Sequence, residues 1–151
     1  CEKGGQWEWA LELLDEMQSG GAEPDVTTYS TAISACELAG KHGHAVHLLV
    51  AAISSTTFST LWQRHMLDVR ELSDPVARTA VRLALVDMVR RPDERRFHDI
   101  ERDFVIFAGT RGEGAARRPS MLALFRDEFA GTECRQDDRN PDLLVVPAAS
   151  L

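Results

Sequence analysis

Over residues 6–17 the apolar side chains Trp7, Ala10, Leu11, Leu14 and Met17 fall at i, i+3, i+4, i+7 and i+10. That spacing lines one face of an α-helix. Glu8, Glu12, Asp15 and Glu16 take most of the opposite side. Gly20-Gly21 stops the helix, and Pro24-Asp25 keeps it from resuming before Val26. A second helix is predicted over 28–39, with Tyr29, Ala32, Ile33 and Cys36 inward and Gly40 closing it. A third runs from His42 to about Ile53, with Ala45, Val46, Leu48, Leu49 and Ala52 apolar. From 54 to about 63 the helical pattern fades, although Phe58, Leu61 and Trp62 keep apolar weight there. Trp62 is expected to close the end of the helical stack, as terminal repeats do.

These helices are one pattern written twice. Shifted by 35 positions, Cys1-Glu2 falls on Cys36-Glu37, Gly5 on Gly40, Ala10 on Ala45, and Leu13-Leu14 on Leu48-Leu49. A fixed period of that length marks a solenoid of helical hairpins. The chain opens at Cys1, inside a repeat, and reads as a fragment of a longer array.

Beyond Trp62 the pattern changes to alternating strand and helix. Residues 65–72 predict a short strand with Met66, Leu67 and Val69 apolar. Ser73-Asp74-Pro75 is a helix start, a capping residue followed by Pro in the first turn. That helix is expected to reach about Arg91, before Pro92, and a charged connection covers 93–102. The unbroken apolar run in 103–108 reads as a buried strand, 109–118 as a glycine-rich loop, 119–129 as a helix and 143–146 as a last strand. The expected fold class is α+β: an α-solenoid of helical hairpins over 1–61, then a small α/β domain over 62–151.

The run Gly5-Gln6-Trp7-Glu8-Trp9-Ala10-Leu11, with Glu23-Pro24-Asp25-Val26-Thr27-Thr28-Tyr29-Ser30 after it, resembles a pentatricopeptide repeat (PPR) array. The resemblance covers about the first third of the chain. It implies single-stranded RNA as partner, with one base read per repeat by two or three side chains. Carried over, those positions are Ser30 and Thr60 for the complete repeat and Asp25 for the repeat before it. Ser30 with Thr60 departs from the family's usual pairs. From the residues alone, Asp25 and Ser30 are equally ordinary turn and cap residues.

Leu67-Asp68-Val69-Arg70 on the first strand and Ala108-Gly109-Thr110-Arg111-Gly112 after the second resemble the Smr (small MutS-related) domain over roughly 65–148. With upstream repeats, the chain is similar to the plant and algal PPR–SMR class. That class implies RNA processing in an organelle, the chloroplast ahead of the mitochondrion, and a nuclease in some members. The second motif departs from Thr-Gly-x-Gly: Ala108 stands for Thr and Arg111 for the second Gly, unless Gly112 takes that role.

Alternation places Asp68 and Arg70 on one strand face near its C-terminal end, where open α/β sheets put ligands. Gly109, Gly112 and Gly114 let backbone approach a phosphate, while Arg111, Arg117 and Arg118 bring charge to a helix N-terminus. In cleavage, Arg70 would stabilise developing charge and Asp68 would orient it or a water. The competing description is a strand-end ion pair beside a surface loop.

Charge is uneven. Residues 1–61 carry Lys3 and Lys41 against eight acids, and 62–151 carry fifteen Arg against sixteen acids. An acidic repeat segment gains little affinity from phosphates. That favours a second class of function, a helical-repeat adaptor that binds protein partners and whose α/β domain has lost its chemistry. Cys1, Cys36 and Cys134 have no metal spacing, His44 and His47 lack a third ligand, and no cofactor is implied. No apolar run approaches a membrane span.

Overall fold

The computed structural model describes residues 5–55, 57–58, 61–63, 65–90, 102–109 and 113–151. The chain divides into two compact units, Cys1–Ser59 and Thr60–Leu151.

The first unit holds α1 (Gly5–Ser19), α2 (Val26–Leu38) and α3 (His42–Ser54). Helix α1 packs on α2, and α2 on α3. Of the predicted stripes, Ala10 and Leu14 from α1, Tyr29, Ala32, Ile33 and Cys36 from α2, and Ala45, Leu49 and Ala52 from α3 are buried, while Trp7, Leu11, Met17, Val46 and Leu48 are half-buried. Both helix stops are glycines in the left-handed region, Gly21 at φ 76° and Gly40 at φ 73°. Each closes a Schellman motif: Ala22 N–H donates to the Met17 carbonyl at 2.8 Å, and Lys41 N–H to the Cys36 carbonyl at 2.8 Å. A side chain at Gly40 would meet no neighbour, so its requirement is the backbone conformation itself.

The second unit is a five-stranded mixed sheet in the order β1-β2-β3-β5-β4. Its strands are β1 (Trp62–Gln63), β2 (Met66–Asp68), β3 (Phe104–Phe107), β4 (Arg135–Gln136) and β5 (Leu143–Val146). Strands β2 and β3 are parallel, with α4 (Asp74–Arg90) between them in the chain; β1 and β5 run antiparallel to their neighbours β2 and β3. Leu67, Phe104, Ile106, Leu144 and Val146 are fully buried, and Val76, Ala80, Leu85, Met121 and Leu124 on α4 and α5 (Glu113–Glu128) supply the rest of the core.

Helices α4 and α5 are joined by polar contacts as well. Arg82 donates bidentately to Glu128 at 2.7 Å through Nε and through Nη2. Ser120 Oγ donates to Asp74 at 2.9 Å, and Arg78 donates to the Ser120 hydroxyl at 3.1 Å.

The structure corrects three expectations. Helix α5 starts at Glu113, not at Pro119, which lies inside it. Ala115, Ala116, Arg117 and Arg118 are good helix formers, and one missing N–H does not outweigh them. The 65–72 strand shortens to Met66–Asp68 because the chain turns at once, with Leu72 N–H donating to the Val69 carbonyl at 3.2 Å. Two-residue strands β1 and β4, unforeseen from the sequence, extend the sheet by antiparallel pairing. Among the described residues, no helix is long and apolar enough to cross a membrane, and no three His, Cys, Asp or Glu side chains are grouped to hold a metal ion.

Candidate nucleic-acid interface

In the second unit the expected pair is formed. Arg70 lies just past the end of β2, and its Nε and Nη2 donate to Asp68 at 3.0 and 2.7 Å. Asp68 Oδ1 also accepts the Arg70 backbone N–H at 3.1 Å. The Arg70 side-chain donors first, then its backbone N–H, hold the Asp68 carboxyl below its ordinary range, and the Asp68 carboxylate raises the Arg70 guanidinium above its own. The guanidinium carbon lies 3.8 Å from the centre of the Phe107 ring, a cation–π contact. Register explains it: Asp68 and Phe107 are partners across the parallel β2–β3 pair. The Arg70 side chain is 47% exposed, so a solute can reach it.

Gly109 follows the end of β3 with φ 78°, a conformation that other residues rarely adopt. The N–H groups of Ala108 and Gly109 both donate to the Asp142 carbonyl, at 3.0 and 3.2 Å. Asp142 precedes β5, and its carboxylate adds to the negative field that raises Arg70. Neither Phe107 nor Asp142 was picked out from the sequence. The signal for Phe107 was strand pairing; that for Asp142 was the turn Asn140-Pro141 just before it, where Asp142 N–H donates to the Asn140 side chain at 3.1 Å.

Arg117 corrects an expectation. As a surface ligand for phosphate it would need solvent, but it is 1% exposed. Its Nη1 donates to the Arg70 and Ala108 carbonyls at 3.2 and 3.3 Å, and its Nη2 donates to the Leu72 carbonyl. Helix α5 starts early enough to aim this side chain inward. Arg118 is half-buried. Thr60, Arg111 and Gly112 lie outside the described residues.

In the first unit, Asp25 is the N-cap of α2. Its carboxylate accepts the Thr28 backbone N–H and the Thr28 hydroxyl, both at 2.8 Å. The backbone bond first, then the hydroxyl, holds its pKa below the ordinary value. The cap is therefore present above the ordinary carboxylate pKa of 3.8 and is lost as pH falls through the lowered one. Asp25→Ala is expected to lower the urea midpoint of the first unit, while Asp25→Asn, which caps as well, leaves it nearly unchanged. Equal losses in both variants would show that the cap is not what Asp25 supplies. Ser30 sits in the second turn of the same helix, half-buried. His44 rests beside Trp7, with ring centres 5.4 Å apart, and Lys41 lies 5.1 Å from the Trp7 ring centre.

Among the described residues the two thiols are shielded. Burial raises Cys36 and pushes Cys134 up to about 12, so neither is a ready nucleophile.

No curated protein and no solved structure gives a significant match to the chain. Residues 1–37 match a model of the PPR repeat family, a match that lies within the first unit.

Proposed function

We propose that the chain is a single-stranded RNA-binding protein of the PPR–SMR kind. In this reading the helical repeats engage bases, and the α/β unit, an Smr-like domain, takes a backbone phosphate at Arg70. The observation that carries it is the state of Arg70: a permanently charged guanidinium, half exposed and fixed in direction by Asp68 and Phe107. A planar fork held in advance gives up little side-chain freedom when it meets a phosphate. Gly109, which lets backbone come close, adjoins Ala108, whose carbonyl shares the Arg117 guanidinium with that of Arg70.

The same geometry favours binding over cleavage. Asp68 is tied up as an acceptor and held ionised, which suits it to orient Arg70 and makes it a weak base. This reading carries with it an organellar setting, the chloroplast ahead of the mitochondrion, and protein partners through the repeats, as the class resemblance implies.

The test is fluorescence anisotropy with the full chain and a labelled mixed-sequence 20-nucleotide RNA. A complex is expected whose affinity drops steeply between roughly 50 and 200 mM salt, since phosphate contacts release counterions. A chain that binds no RNA at the lower salt is an adaptor, and this reading fails.

A further inference from the structure

Behind the Asp68–Arg70–Phe107 arrangement lies a residue that is 1% exposed, Arg117. The chain leaves β2 at Asp68 and turns; β3 ends at Phe107. The Val69 N–H still donates to the Phe107 carbonyl at 3.1 Å; past that bond, Arg117 from α5 ties the two segments together. Its guanidinium donates to Arg70 and Leu72 on one segment and to Ala108 on the other. The Arg70 backbone is therefore held on both sides, its N–H by Asp68 and its carbonyl by Arg117. From that backbone its side chain runs across Phe107.

We infer that Arg117 is a positioning residue, a buried clamp that sets where Arg70 presents its charge and does not itself touch the nucleic acid. A planar guanidinium with five donors can serve three carbonyls on two segments at once. A lysine ammonium, a compact point charge on a flexible stem, cannot span them in the same way. Displacements of about 1 Å at such a distance from the contact suffice to cost a large part of a site's effect. The functional half of this inference rests on the RNA-binding reading above; the structural half does not.

The experiment reads the arginine Nε–H signals of the full chain by nitrogen–proton NMR, in wild type and in Arg117→Lys. In wild type the Arg70 Nε–H, donated to Asp68, is expected as a separate, slowly exchanging resonance. In folded Arg117→Lys it should move to the solvent-averaged arginine position. An unchanged Arg70 resonance in the folded variant overturns the inference. Arg117→Gln is the second variant. If neither folds, the wild-type Arg117 Nε–H decides, because fast exchange with solvent there contradicts a buried clamp and slow exchange supports it.

RNA affinity supplies the functional readout. Arg117→Lys should weaken binding about as far as Arg70→Ala and add nothing in that background, the sign of two residues acting through one contact. Additive losses overturn the positioning role. Loss of the Arg70 resonance in a chain whose wild type binds no RNA leaves the clamp standing and removes the RNA reading.

Discussion

Arg70→Ala should weaken single-stranded RNA binding by the full chain about tenfold to a hundredfold at low salt, as expected for losing a hydrogen bond between charged groups. Fold stability should change little, because the Arg70 side chain is half exposed and its pair with Asp68 lies at the surface. Arg70→Lys should recover only part of the loss, since the ammonium keeps the charge and loses both the fork and the planar stacking on Phe107. Asp68 gives the pH dependence. Its folded pKa lies below the ordinary 3.8, so the pairing is complete above that value and is lost as pH falls through the lowered one. The contribution of Arg70 should therefore be flat from about pH 5 to 8. A step in that range, matched between wild type and Arg70→Ala, would come from groups other than this pair.

The second large effect concerns stability. Glu128→Ala removes the bidentate partner of Arg82, whose side chain is only 6% exposed. The change takes two charge-assisted hydrogen bonds from a desolvated guanidinium, and with the Glu128 side chain 31% exposed the expected loss is about 2–3 kcal/mol. Trp62 is the one tryptophan of the second unit, so Trp7→Phe and Trp9→Phe give a background in which its fluorescence reports that unit alone. Urea unfolding of Glu128→Ala in that background should show the lower midpoint. A loss near zero would mean that α4 and α5 are held together by apolar packing and that the pair is a screened surface contact.

Much of the first unit could be read from sequence because its signals are local. The apolar stripe of α1, the glycine stops and the Asp25 cap act within a few residues of where they are written. The second unit depends on pairing between distant segments. Trp62 and Gln63 carry no strand pattern of their own and become β1 only opposite Leu67 and Met66. Pro119 looks like a helix start and is an interior residue. Reading Arg117 as a surface charge follows from its type; only the early start of α5 turns it inward. The spacing of Asp68 and Arg70 announced the pair, but Phe107 and Asp142 join it through the β2–β3 and β3–β5 pairings.

The central claim is that Arg70 meets a phosphate, and the salt dependence of RNA affinity tests it most directly. Plotting log affinity against log salt for wild type and Arg70→Ala should give straight lines, the slope for Arg70→Ala being smaller by about one. Parallel lines, with or without a difference in affinity, would contradict a phosphate contact at Arg70.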